Sequence, residues 1–201
     1  MTTVTVYLLS ADAVSAQADF FTSRLSENQL AEVNKYKSER EKTLRIAGKY
    51  LLNAYTPPLP LSYGKYGKPH MGGAFFNLSH SGDYAALAVA NAETGVDVEK
   101  IKPIDFRFAN KILSAAERAN ISSPEEFLSA WTAKESLLKC VGSGLISRLN
   151  EVPSNSDGEK TYLGEKYFSR SKIFDRHIIC VTLKSAEPFK IKLILADADL
   201  I

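Results

Sequence analysis

Cysteine is nearly absent from this sequence: Cys140 and Cys180 are the only two in 201 residues, and tryptophan occurs once. Two thiols, one in a helix-like stretch and one in an apolar strand-like run, make no disulfide framework and suit buried side chains in a reducing compartment. No apolar run approaches the ~20 residues of a membrane span, and no low-complexity tract interrupts the chain. The N-terminal MTTVTVYLLSADA lacks a basic leader, and its alternating VTVYLL reads as a first strand, so a cytoplasmic protein without a membrane partner is expected. Charge of one sign is also missing. With 25 basic and 23 acidic residues the net charge is +2, which gives no reason to expect nucleic acid. A composition of 45% hydrophobic and 24% charged residues fits a folded protein of one large or two small domains.

The most informative stretch is WTAKESLLKCVGSGL, residues 131–145. Residues four apart share a helix face, so Trp131, Glu135 and Lys139 form one row, able to hold a metal and a phosphate or simply a surface ion pair. Ser123, Pro124 and Glu126 have the form of a capping box with proline at the first helical position, which starts this helix near residue 124. Gly142 and Gly144 end it and leave a loop that a ligand can approach closely.

Upstream, a helix is predicted over 16–25 and a second from a Ser26 cap toward Asn53. Lys35, Lys37, Arg40, Lys42, Arg45 and Lys49 give the second a basic face, either solvated or open to a polyanion. Residues 56–73 hold too much proline and glycine for a long regular element; Lys65 and Lys68 stand there in a connector or an anion-binding loop. Residues 74–101 read as a hairpin of two strand-like segments with its turn at 91–94. Asn77, Ser79, His80 and Ser81 crowd polar groups into one strand, where a histidine flanked by hydroxyls can serve a phosphate or the structure alone. In GVDVE, Val96 and Val98 take one face and Asp97 and Glu99 the other, a pair able to share a hard cation such as Mg²⁺ or to face solvent. After Pro103 a helical segment breaks and restarts at Ser114–Arg118. The C-terminal third reads as antiparallel strands over 162–174, 177–184 and 189–201, with bends at Asp157–Gly158 and Glu187–Pro188.

Taken together, YGKP at 66–69, FNLSHS at 76–81, GVDVE at 95–99 and WTAKESLLKCVGSGL at 131–145 resemble the surfactin-synthetase-activating type of phosphopantetheinyl transferase. The resemblance spans roughly residues 26–150. It implies an α+β fold of two similar α/β lobes related by a pseudo-twofold axis, residues 1–101 and 102–201, with the active site in the cleft between them. It also implies a monomeric enzyme that moves the 4′-phosphopantetheine group of coenzyme A onto a serine of an apo acyl, peptidyl or aryl carrier protein, releasing adenosine 3′,5′-bisphosphate.

By the same resemblance Asp97, Glu99 and Glu135 hold Mg²⁺, and Lys139 contacts the reacting phosphate. Glu135 is the base for the carrier serine, directly or through a metal-bound water, with Glu117 as a competing candidate. Ser79 and His80 hold the 3′-phosphate region, and Lys68 an adjacent phosphate or ribose. The chain departs from the family at Leu44, where an arginine is usual, with Arg45 beside it as the candidate for coenzyme A and Arg40 a turn earlier, and Asn28 and Ala31 stand where the preceding turn is normally basic. The alternative is a binding module for coenzyme A or a carrier that has lost transfer, against which the three carboxylates argue, since they repel one another without a cation.

Overall fold

The computed structural model describes residues 2–144 and 148–197. Leu145 and the end of the last predicted strand, 198–201, lie outside them. In order, the chain forms β1 (Thr2–Ser10), α1 (Ala11–Ala16), α2 (Ala18–Thr22), α3 (Glu27–Val33), α4 (Glu39–Tyr55), β2 (Leu61–Tyr63), β3 (Pro69–Met71), β4 (Phe75–Ser81), β5 (Tyr84–Ala90) and β6 (Thr94–Lys100). It continues through α5 (Ala109–Ile112), α6 (Ala115–Asn120), α7 (Pro124–Val141), β7 (Gly158–Tyr162), β8 (Glu165–Phe174), β9 (His177–Leu183) and β10 (Phe189–Leu195). Among the described residues no helix is long and apolar enough to cross a membrane.

Two four-stranded sheets, β10-β1-β5-β4 and β6-β9-β8-β7, stack face to face in this mixed α/β fold. Strand alternation explains the contact: Val4, Val6 and Leu8 of β1 meet Val96 and Val98 of β6 and Ile179 and Val181 of β9 in one core. Each such side chain contributes about 1.5–3 kcal/mol when fully buried. On its outer face the first sheet is covered by α4 through Ala47, Tyr50 and Leu51. The second is covered by α7, whose Leu137, Leu138 and Cys140 pack with Tyr167 of β8. Gly95 permits that close approach, because a Cβ there would lie 2.0 Å from the Ser136 carbonyl oxygen and 2.4 Å from the Cys140 nitrogen. The far end of the two sheets is pinned by the buried His177, whose Nε2 accepts the Asp83 N–H at 3.2 Å. Asp83 itself takes Arg40 and Lys100, each at 2.5 Å.

Several local expectations change. The helix predicted from Ser26 to Asn53 is two helices, because Ser38 leaves helical geometry to accept the Glu41 N–H and start α4 afresh. The helix predicted over 16–25 begins earlier, at a Ser10 cap, and is divided at Gln17. The hairpin expected over 74–101 turns at Gly82–Asp83, pairing β4 with β5, while residues 91–93 carry the chain into the second sheet, where β6 pairs β9. The strand predicted over 162–174 is cut by a turn at Leu163–Gly164, both with positive φ. The last strand is not antiparallel: β10 runs parallel to β1 in the first sheet. Two strands therefore cross the expected boundary at residue 101, β6 joining the second sheet and β10 the first. The capping box at Ser123 forms as expected, and the restart expected at Ser114–Arg118 is itself a capping box, between Ser114 and Glu117.

Candidate active site

Between α4 and α7, across β4 and β6, lies a cleft of about 510 Å³. The strand edges meet there without a backbone ladder. Asn77 Oδ1 accepts the Val96 N–H at 3.0 Å and Ser79 Oγ the Val98 N–H at 3.4 Å, so alternate side chains of β4 satisfy the free edge of β6. The same row reaches the acids: Ser79 Oγ donates to Asp97 Oδ1 at 2.9 Å and Ser81 Oγ to Glu99 Oε2 at 2.7 Å.

From α7, Trp131, Glu135 and Lys139 all face the cleft, as their spacing requires. Trp131 Nε1 donates to Glu99 Oε1 at 3.2 Å, and Lys139 Nζ donates to Asp97 Oδ1 at 2.6 Å and Ser79 Oγ at 2.9 Å. Two carboxylate oxygens, Asp97 Oδ2 and Glu135 Oε1, are buried without a hydrogen-bond partner. Burial first, then the Asp97 charge, pushes the Glu135 carboxyl up to about 7 against the opposing pull of Lys139. Burial also raises the Glu99 carboxyl, with Asp97 adding to the rise and the Ser81 and Trp131 hydrogen bonds opposing it. Among the described residues no three histidine, cysteine or acidic side chains gather into a ready-made metal cluster. The two orphaned oxygens nevertheless fit a hard cation, which takes oxygen ligands and relieves buried like charge.

The other wall comes from α4. Arg45 donates to Glu41 at 2.9 Å and lies over the Tyr36 ring at 4.5 Å, while His80 Nε2 is 3.8 Å from the same Glu41 oxygen. Burial, then Arg45, holds the His80 imidazole below its ordinary range. Lys49 and its partner Glu32 also line this wall. Sequence reasoning singled out neither as a site residue, although Lys49 lies one turn beyond Arg45 and that spacing was signal enough. Glu41, too, was missed.

Of the residues expected at the site, Asp97, Glu99, Glu135, Lys139, Ser79, His80 and Arg45 line one cleft. Ser79 is there as a joint between strands, its hydroxyl already committed to Asp97, Lys139 and the Val98 N–H. Two residues are elsewhere. The Lys68 ammonium is held at the C-terminal end of α7, 2.5 Å from Glu93 and 2.7 Å from the Cys140 carbonyl. The Glu117 carboxylate caps α6 through the Ser114 N–H at 2.6 Å and receives Lys134 at 2.9 and 3.0 Å. Against the upward push of burial, hydrogen bonds from Ser154, Lys134 and Ser114 hold Glu117 below the usual carboxylate range, and this geometry does not bring it to the cleft as a base.

Comparison with known proteins gives this constellation a family. The model described as the 4′-phosphopantetheinyl transferase superfamily matches residues 93–185, which carry Asp97, Glu99, Glu135 and Lys139. A Synechocystis protein provisionally named a 4′-phosphopantetheinyl transferase is 30% identical over 166 residues, covering 71% of this chain and 68% of its own. The chain belongs to the 4′-phosphopantetheinyl transferase superfamily. A 4′-phosphopantetheinyl transferase of Salmonella typhimurium is 40% identical over 125 residues, covering 54% of this chain and 65% of its own. Another, from Bacillus pumilus, is 39% identical over 94 residues, covering 43% and 40%. The chain thus spans between two fifths and two thirds of the length of these last two superfamily members.

Proposed function

We propose that this chain transfers the 4′-phosphopantetheine group of coenzyme A to a serine of an apo acyl or peptidyl carrier protein, releasing adenosine 3′,5′-bisphosphate. One observation carries the reading: Asp97, Glu99 and Glu135 face one cleft with Lys139 among them, and two of their oxygens are buried without partners. Asp97, Glu99 and Glu135 would hold Mg²⁺; Glu99, whose oxygens already accept from Ser81 and Trp131, would use its remaining lone pairs. When bound, the divalent cation supplies neutralisation of the pyrophosphate charge as the phosphoanhydride breaks.

Glu135, which faces the cleft one turn from Lys139, accepts the proton of the carrier serine. The serine oxygen then forms its bond to the phosphorus bearing pantetheine, while the bond to the oxygen of the departing adenosine bisphosphate breaks. Lys139 moves its ammonium from Asp97 toward the charge that develops on the phosphoryl oxygens. His80 and Arg45 offer donors to the phosphate on the nucleotide side, with Arg45 exchanging Glu41 for it. Lys68 and Glu117 act as structural groups.

The architecture belongs to the same proposal: two similar α/β halves about a pseudo-twofold axis, one presenting α4 and the other α7, each with one exchanged strand. So does a monomer in the cytoplasm that engages neither nucleic acid nor membrane. The test is incubation with coenzyme A, Mg²⁺ and a panel of apo carrier proteins, read by intact mass. Gain of one phosphopantetheine on a carrier serine, abolished by chelation, is expected; no gain on any carrier, or full transfer after exhaustive chelation, overturns the reading.

A further inference from the structure

The segment 61–71 crosses from the α4 side of the cleft to the α7 side with little of its own to hold it. Its strands β2 and β3 pair over three residues each in a sheet of their own, and a hairpin of that size is marginal in isolation. The turn between them is closed by the Gly64 N–H on the Lys68 carbonyl and the Gly67 N–H on the Gly64 carbonyl, both at 2.9 Å. On the α4 side, Leu61 and Met71 pack into the core that this helix shares with the first sheet. In between, Leu61, Tyr63 and Pro69 line the main cleft, and Tyr66, Gly67 and Pro69 line an adjoining cavity of about 250 Å³ with Glu135 and Lys139.

On the α7 side a single side chain makes the attachment. Among the described residues, the hydrogen bonds that join 61–71 to the chain beyond its flanking turn all come from Lys68 Nζ. It donates to Glu93 Oε2 at 2.5 Å, to the Cys140 carbonyl at 2.7 Å and to the Thr94 carbonyl at 3.4 Å. Cys140 belongs to the last turn of α7, whose carbonyls lack partners along the helix and whose dipole favours a cation. Glycine keeps the approach open: a Cβ at Gly142 would lie 3.1 Å from Lys68 Cδ, and one at Gly144 3.3 Å from Tyr66 Cβ. Thr94 opens β6, which carries Asp97 and Glu99, while α7 carries Glu135 and Lys139. One ammonium thus ties the segment to both elements that present the acids.

We propose that Lys68 is a positioning residue: its ammonium latches the 61–71 strap to β6 and α7, and the latched strap forms the wall that holds coenzyme A in the cleft. This role rests on the proposed use of coenzyme A as substrate, and it takes the place of the direct phosphate contact expected of Lys68. The two roles have opposite consequences at Glu93. A lysine that serves a phosphate is released when Glu93 is removed, and the ligand gains; a latch is loosened by the same change, and the ligand loses.

The experiment compares the wild type with Lys68→Met, Glu93→Ala and the double variant. Hydrogen exchange is read by mass spectrometry without ligand, and coenzyme A binding by calorimetry. Amides of 61–71 are expected to exchange at least about 10-fold faster in each variant, while those of β1, β5 and β9 keep wild-type rates. Coenzyme A should bind about 3- to 10-fold more weakly to either single variant, and the double variant should be no weaker than Lys68→Met, because both substitutions open one latch. In transfer to an apo carrier protein the loss should fall on KM for coenzyme A, with kcat held within about threefold. Tighter binding by Glu93→Ala, additive losses in the double variant or a loss confined to kcat would each overturn the latch. So would unchanged exchange of 61–71, or faster exchange spread over the sheets, which marks damage to the fold as a whole. Absence of coenzyme A binding and of carrier modification by the wild type sinks the transferase reading, whereas unchanged exchange in the variants sinks the latch, so the two failures are told apart.

Discussion

Two lysines five residues apart on α7 meet opposite fates. Lys134 is fully buried, its ammonium bound to both oxygens of Glu117 and to the carbonyls of Leu149 at 3.1 Å and Val152 at 2.6 Å. Lys139 is 28% exposed in the cleft and holds one oxygen of Asp97, beside carboxylate oxygens that hold nothing. Both are pairs of an α7 lysine with an acid, yet the first leaves neither acid oxygen unpartnered and the second leaves Asp97 Oδ2 free beside the equally free Glu135 Oε1. A satisfied pair fastens α6 and the segment around 149–152 to α7. An incompletely satisfied one leaves room for chemistry.

The largest effect should come from breaking the fastened pair. Lys134→Met leaves a half-buried Glu117 carboxylate without its cation, and urea unfolding is expected to show a loss of about 3–5 kcal/mol. Stability within about 1 kcal/mol of wild type would mean that the two lysines do not differ in kind.

Lys139→Ala is the counterpart. On the proposed transfer, in which its ammonium meets the charge that develops in the transition state, it should lower kcat by about 10²-fold while changing coenzyme A binding far less. Single-turnover transfer and calorimetric binding separate the two quantities. An equal loss in both would reduce Lys139 to a binding group.

A third lysine sharpens the comparison from another side. Lys160 of β7 is only 5% exposed, its Nζ has no hydrogen-bond partner, and burial pushes its ammonium down to about 8. A depressed lysine contributes stability above its unfolded value near 10.5 that is lost as pH falls through about 8. Lys160→Met should therefore stabilise the protein by about 1–3 kcal/mol at pH 7, with the advantage shrinking toward pH 10. Denaturant melts at the two pH values check it, and an equal effect at both would assign the gain to packing.

The smallest effect concerns Glu135, whose carboxyl is raised from 4.5 to about 7 by burial and Asp97. A raised acid contributes stability that is present below about 4.5 and lost as pH rises through about 7. Without divalent cation, Glu135→Gln should match wild type at pH 4 and exceed it at pH 8 by about 1–2 kcal/mol, the shift being discounted for partial exposure. A difference that stays constant with pH would remove the buried charge as its cause.

The two α7 lysines were not equally legible. Glu135 and Lys139 emerge from helical spacing, and the start of α7 from Ser123, Pro124 and Glu126, because caps and periodicity are local physics. The alternation in GVDVE likewise put Asp97 and Glu99 on one face. Nothing local distinguishes Lys134 from a surface lysine, nor tells that Lys68, among glycines and tyrosines, turns its ammonium back onto the end of α7. The turn after β5 looked like a hairpin because pairing of β6 with β9 joins residues 77 to 89 positions apart. The break at Asn34–Ser38 was hidden by a run of charged residues with good helix propensity, against which one serine cap decided the outcome.

The most direct test of the cleft as a cation site is Mn²⁺ titration of the wild-type and Asp97→Ala proteins, followed by calorimetry in the presence of coenzyme A. The wild type should bind one divalent ion, and Asp97→Ala, folded with a wild-type circular dichroism spectrum, should bind it at least about tenfold more weakly. Equal Mn²⁺ affinity in the two proteins would contradict the account.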